Sequence, residues 1–307
     1  VQIYLPIADM PVNIFLVLGM GLAVGFISGM FGIGGGFLMT PLLIFIGISP
    51  AVAVASVASH ISASSFTGAI TYWRKRAIDV ALAMMLLAAG ILGTATGVWL
   101  FTVLRTMDQL DLVIGLSYVT LLTSVGGMMI WESVRAELRA RKGMPATLRR
   151  PGSHSWVHGL PLKMRFKRSK IYVSAIPVWA IGFSIGFVGA ILGIGGGFLL
   201  VPMLIYFLRV PTATVIGTSM VLTLITMASA TVMHAVTNHL VDALLALILM
   251  VGGVIGAQFG VRTGQRMRGE RLRLLLGLLV FAVGLRFAFE LVVKPEDLYS
   301  LRHVRSE

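Results

Sequence analysis

A chain of 307 residues that is 57% hydrophobic and only 12% charged lacks the polar surface of a water-soluble globule, and several of its apolar runs reach the roughly 20 residues that cross a bilayer core. The absence of cysteine excludes disulfides, thiolate metal sites and thiol chemistry. The net charge of +13 does not mark a nucleic-acid binder, because 11 of the 25 Lys and Arg fall between Arg135 and Lys170, the pattern of a cytoplasmic loop that obeys the positive-inside rule and touches anionic lipid.

The first apolar run, 12 to 31, has neither the basic flank nor the small-residue cleavage site of a signal peptide and is read as a retained helix. A glycine knot follows at Gly32-Ile33-Gly34-Gly35-Gly36. Then come a short apolar segment, Phe37 to Gly47, and a break at Pro50. At about 16 Å of helix, Phe37 to Gly47 either stops in mid-membrane or completes a tilted span. Ala51 to Trp73 is a helix of small residues, which lets neighbouring helices approach closely in lipid and places it inside the bundle. After Arg74-Lys75-Arg76, Ala77 to Thr102 crosses, Arg105 to Asp111 turns and Leu112 to Trp131 crosses back.

A basic linker with Pro145, Pro151, Gly152 and Pro161 precedes a second round of the same plan. Tyr172 to Leu192 crosses, the knot recurs as Gly193-Ile194-Gly195-Gly196-Gly197, and Phe198 to Leu208 is followed by Pro211. A helix to His234 and crossings from Val241 to Val261 and Leu272 to Val292 complete it. The two rounds match at an offset of 161 residues from Gly25-Phe26 through Pro50, and after a shift of two Asp79, Gly90, Gly93 and Gly97 fall on Asp242, Gly253, Gly256 and Gly260. The chain therefore divides into a first transmembrane repeat (1–133), a basic cytoplasmic linker (134–171) and a second repeat with a C-terminal tail (172–307).

Arg74-Lys75-Arg76 corresponds to Val236 to Leu240, which has no Lys or Arg, whereas the turn at 105–111 has one Arg and its counterpart, Arg262 to Arg273, has five. By the positive-inside rule corresponding loops lie on opposite sides, so the repeats are inverted. The expected fold is an all-α polytopic membrane protein. Each of its two inverted-topology repeats makes about three full crossings plus a glycine-broken hairpin or re-entrant element. The N-terminus is outside and the linker is in the cytoplasm.

Glycines that open a helix expose backbone amides with no intrahelical partner beside the positive end of the helix dipole, and they allow a ligand's oxygens to approach. Gly34, Gly35 and Gly36, with Gly195, Gly196 and Gly197, are read as an anion cradle made by both repeats. The competing role, a corner where helices merely cross closely, is less natural for a motif duplicated with a proline after each copy. On the second small-residue helix Ser219, Thr223, Thr226, Ala230 and His234 form one stripe. On the first, Ser56, Ser59, His60, Ala63 and Thr67 cluster on one face and Ser62 and Ser65 on another. Buried hydroxyls often bond only their own helix, but an ionisable side chain in a membrane helix is costly. His60 is thus a functional candidate, able to donate to an oxyanion or to carry a coupling proton. No carboxylate lies clearly beside the knots.

On Gly29-Met30-Phe31-Gly32-Ile33-Gly34-Gly35-Gly36-Phe37-Leu38-Met39-Thr40-Pro41, its echo Gly193 to Pro202, and Gly217-Thr218-Ser219, the chain resembles the sulfite exporter TauE/SafE family over nearly its whole length. The resemblance implies a bacterial inner-membrane permease for sulfite, sulfoacetate or a related organosulfonate, with the glycine knots and the Thr218-Ser219 pair lining the path. The expected substrate-binding set is Gly34, Gly35, Gly36, Gly195, Gly196, Gly197, Ser56, Ser59, His60, Ser62, Ser65, Thr218, Ser219 and Thr223. No cofactor or metal is expected. An anion channel of the same architecture is the alternative. An intramembrane enzyme lacks the Gly-x-Ser-x-Gly elbow, and no Walker motif offers nucleotide power.

Overall fold

The computed structural model describes residues 2–76, 78–141, 162–166, 171–206, 212–264 and 269–292. Most of the basic linker, Pro211, part of the Arg-rich turn after Gly264 and the C-terminal tail lie outside the described residues. A short hairpin of β1 (Gln2–Leu5) and β2 (Met10–Asn13) leads into α1 (Ile14–Phe31), α2 (Gly36–Phe45), α3 (Pro50–Arg74), α4 (Val80–Thr106) and α5 (Leu110–Arg141). A second hairpin, β3 (Lys163–Phe166) with β4 (Ile171–Ser174), leads into α6 (Ala175–Leu192), α7 (Gly197–Tyr206), α8 (Thr212–Met233), α9 (Ala243–Gly264) and α10 (Gly269–Val292). A π turn, His234–Asn238, extends α8.

The fold is mostly helical, and among the described residues six helical segments are long and apolar enough to cross a membrane. Helix α3 has the length, 25 residues, but its serines, threonines and His60 keep it out of that set. Helices α2 and α7 have 10 residues each, about 15 Å against a core of about 30 Å, so neither crosses alone. The protein is a multi-pass membrane protein.

The two halves repeat their local chemistry as well as their element order. Asn13 caps α1 by accepting from the Phe15 N–H, and Ser174, 161 residues on, caps α6 by accepting from Ile176. Asp79 caps α4 through Leu82, while Asp242 caps α9 through Leu244 and Leu245. The other Asp242 oxygen accepts from the N–H groups of Ile7 and Ala8, so the tip of the first hairpin is tied to the start of α9. Both hairpins hold the same register, Gln2 opposite Asn13 and Lys163 opposite Ser174. Neither was expected from sequence, because four-residue strands carry almost no periodic signal.

Lipid tails are as apolar as leucine, so burial alone cannot hold such helices together; close van der Waals approach must. Glycine supplies it. Gly21 lies on Leu249 and Gly252, Gly25 on Gly253 and Gly29 on Ala257, so α1 and α9 run parallel with backbones in contact. Gly182 on Leu86, Gly186 on Gly90 and Gly97 on Ala190 give α4 and α6 the same parallel contact. The first helix of each half thus packs on the penultimate helix of the other. Helix α3 also packs on α9 and α4 on α8, while two further large contacts join equivalent helices, which run antiparallel. The Ser62 hydroxyl donates to the Leu224 carbonyl at 3.1 Å and Gly68 meets Met220 between α3 and α8. Gly126 on Phe281 and Gly284 on Leu122 join α5 to α10.

Candidate functional site

Helix α1 ends at Gly32 in the left-handed region (φ +71°), where its N–H closes on Ser28, and α6 ends the same way at Gly193 (φ +62°) on Gly189. Gly34 (φ +92°), Gly35 (φ +71°) and Gly195 (φ +77°) continue in that region, which a side chain would strain. Each chain then restarts as a short helix, α2 or α7.

The two knots meet backbone to backbone. Gly36 abuts the Gly193 carbonyl and Ile194, and a Cβ on Gly197 would stand 2.5 Å from the Ile33 carbonyl oxygen. The equivalent carbonyls of Gly32 and Gly193 are each held by a hydroxyl from the other half: Ser219 donates to Gly32 at 3.1 Å, and Thr40 to Gly193 at 3.2 Å. The Ser219 proton is shared with the Ile216 carbonyl. The N–H groups of Gly34, Gly35, Gly195 and Gly196 find no acceptor among the described residues. They are the start-of-helix amides that need a partner.

Three buried hydroxyls beside them are also unpartnered. Ser28 lies against Gly35, Ser65 against Gly34 and Thr223 against Gly34, Gly195 and Gly196. All three are at least 99% buried. An unmade hydrogen bond in a buried hydroxyl costs about 1–3 kcal/mol, and four amides and three hydroxyls are left open here in one place. Ile61 from α3 and Ile185 from α6 supply the apolar walls. The adjoining cavity of about 420 Å³ between α4, α5 and α6 is a different place: Leu104, Leu116, Phe187 and Leu192 line it, with Ser117 and Thr120 its polar atoms.

The structure brings only part of the sequence-derived set to this point. All six knot glycines, Ser65 and Thr223 are there, and Ser219 fixes the knot through Gly32. Thr218 is fully buried with an unpartnered hydroxyl one residue before Ser219. Ser62 spends its proton on Leu224. Ser56 and Ser59 do other work: the Ser56 hydroxyl accepts from the Asp242 N–H at 3.0 Å, and Ser59 donates to the Ser56 carbonyl at 2.7 Å. Ser28 and Thr40 were missed; Ser28 is the one hydroxyl in α1, which was the available signal.

His60 is fully buried but turned from the knots toward α9. Its Nδ1 faces the Leu249 carbonyl at 2.7 Å and therefore carries the proton, its ring lies against Gly253, and Nε2 has no partner. His234 is fully buried. Its Nε2 donates to the Ala190 carbonyl at 3.1 Å, and its Nδ1 accepts from Asn238 at 3.2 Å. Asn238 in turn accepts from Thr102 and Arg105. This network ties α4, α6 and the end of α8 together.

The family model of the sulfite exporter TauE/SafE matches residues 17–287, which takes in both knots and every helix from α1 to most of α10. The chain is 30% identical over 283 residues to a probable membrane transporter protein of Xylella fastidiosa (strain 9a5c), covering 89% of this chain and 94% of the relative. It is 21% identical over 279 residues to the probable membrane transporter protein YunE of Bacillus subtilis (strain 168), covering 88% and 96%. A sulfite exporter TauE/SafE family protein 1 of Arabidopsis thaliana shares 47% identity over 53 residues, 17% of this chain and 12% of that one. No solved structure matches the chain significantly. With a duplicated glycine break at its centre and a family match across nearly all of its described helices, the chain belongs to the sulfite exporter TauE/SafE family of membrane transporters.

Proposed function

We propose that the protein is a secondary permease of the bacterial inner membrane that exports a small sulfur-containing anion, sulfite, sulfoacetate or a related organosulfonate, by alternating access of two inverted repeats about the paired knots. One observation carries this reading: open amides from both halves and the open hydroxyls of Ser28, Ser65 and Thr223 converge on one buried point. Such donors suit an oxyanion at paired helix N-termini.

The inverted arrangement is supported by the antiparallel pairing of equivalent helices, α3 with α8 and α5 with α10. Sidedness has support at one end of the molecule, where Arg105 donates to the Asn238 carbonyl at 2.9 Å and Asp242 holds the tip of the first hairpin. These segments form the poorly basic, outer face; Arg74, Lys75 and Arg76 lie at the other end of α3. Protons are the coupling ion in this scheme, and His60, with its open Nε2, is the residue that carries them.

The test is flux in proteoliposomes of purified protein with sulfite, thiosulfate, sulfoacetate, a carboxylate and chloride, with and without an imposed pH gradient. Saturable movement of one sulfur anion that responds to the gradient is the expected result. Unsaturable leak of every anion would make the protein a channel instead.

A further inference from the structure

We propose that the paired-knot site takes its anion with a single negative charge and rejects a dianion of similar size. The inference rests on the permease reading and narrows it to singly charged anions, which excludes sulfoacetate, whose sulfonate and carboxylate are both ionised at neutral pH.

Every donor at the site is neutral: the amides of Gly34, Gly35, Gly195 and Gly196 and the hydroxyls of Ser28, Ser65 and Thr223. Among the described residues no lysine or arginine is buried. Helix dipoles act at the site with both signs. Helices α2 and α7 both begin at the site, at Gly36 and Gly197, and each N-terminus is worth roughly half an elementary charge. Helices α1 and α6 end at the same knots, at Gly32 and Gly193, and bring their negative ends there, so the dipoles supply no full positive charge and the anion is held by neutral hydrogen-bond donors. A dianion would put twice the charge of a monoanion into a buried place where the described residues offer no cation, and an uncompensated buried charge is very costly in a protein interior.

The surrounding ionisable groups do not fill the gap. Helices α1, α2 and α6 carry none. Helix α3 carries His60, whose protonated nitrogen is committed to Leu249 on α9. The extension of α8 carries His234, committed to Ala190 and Asn238. The buried carboxylates Asp79 and Asp242 cap the starts of α4 and α9, and any field from them disfavours a second negative charge. For an oxyanion of a weak acid the consequence is direct. Only the form that keeps a proton enters, so flux at fixed total concentration falls as pH rises and the dianion takes over.

The experiment measures sulfite counterflow in proteoliposomes of the full chain, at acidic, neutral and alkaline pH, with methanesulfonate and sulfate as competitors. Both competitors are tetrahedral at sulfur; methanesulfonate is singly charged and sulfate doubly charged across the range. Methanesulfonate is expected to compete equally at each pH. Sulfate should be weaker by about 100-fold. Sulfite flux should fall on raising the pH, because the dianion that then takes over is not accepted at the knots. Sulfate competing within about tenfold of methanesulfonate, equivalent to less than about 1.4 kcal/mol of discrimination, overturns the inference while leaving the permease intact. Failure of every anion to move or compete overturns the permease reading, and this inference with it.

Discussion

Phe37 and Phe198, which occupy equivalent places in the two repeats, stack on each other with ring centroids 4.9 Å apart and planes 17° from parallel. Each is the residue directly after a knot, and both are fully buried, so the stack closes the centre of the molecule where the two short helices part. Truncating either ring opens a void at the place where the knots touch. Phe37→Ala and Phe198→Ala are each expected to cost about 2 kcal/mol or more, a smaller loss than the roughly 3–5 kcal/mol typical of a buried phenylalanine in a soluble core, because lipid provides little transfer gain to lose. In a double-mutant cycle followed by thermal unfolding in detergent, the pair should show a coupling of about 0.5–1.5 kcal/mol. Additive losses would mean that the rings pack independently.

Gly35→Leu and Gly196→Leu are expected to abolish transport while the protein still inserts. At Gly35 the backbone is left-handed (φ +71°), and a Cβ would stand 2.9 Å from that of Ser28, so a leucine both strains the turn and displaces an open hydroxyl. At Gly196 the added atoms run into Ile185 and toward the Thr223 hydroxyl. Insertion is read from membrane-fraction yield and monodispersity in detergent, transport from flux. Full transport in both variants would reduce the knots to packing corners.

The repeat was legible in the sequence because glycines cannot be replaced at close backbone contacts, so Gly25, Gly90, Gly186 and Gly253 kept their places in both halves. The capping pair Asp79 and Asp242 was visible for the same reason: a helix start has few substitutes. Side-chain direction was not legible on the small-residue helices. In α3 polar small residues occur on more than one face, and although spacing put Ser65 and Ser56 on different faces it could not say which face reaches the knot and which serves Asp242. The burial of His234 was hidden as well, since the π turn that follows α8 keeps the chain wound for five more residues beyond Met233.

His60 and His234 are expected to differ in what their removal does. His60→Ala frees the Leu249 carbonyl but breaks no other bond, so it should mainly flatten the response of transport to an imposed pH gradient. Helices α1 and α9, which face it, present no other titratable group near Leu249 and Gly253, so no neighbour can replace it. His234→Ala strips partners from both Ala190 and Asn238 and should cost about 2–3 kcal/mol of stability, with the gradient response preserved in the folded fraction. Gly253→Ala should resemble His60→Ala, because its methyl group occupies the position of the imidazole. Equal gradient responses in wild type and His60→Ala would make His60 a packing residue.

The sidedness of the repeats can be read chemically, because the chain has no cysteine of its own. Lys75 ends α3, and its counterpart by repeat register is Asn238, followed by His239 at the end of the α8 extension. If the repeats are inverted, these equivalent positions face opposite compartments. Lys75→Cys and His239→Cys are therefore expected to differ in intact cells: a membrane-impermeant maleimide should label His239→Cys from outside and Lys75→Cys only after lysis. Asp108→Cys, in the turn after α4, should label with His239→Cys, since the neighbouring Arg105 bonds the carbonyl of Asn238. Labelling of Lys75→Cys and His239→Cys from the same side would make the repeats parallel and remove the alternating-access scheme built on their inversion.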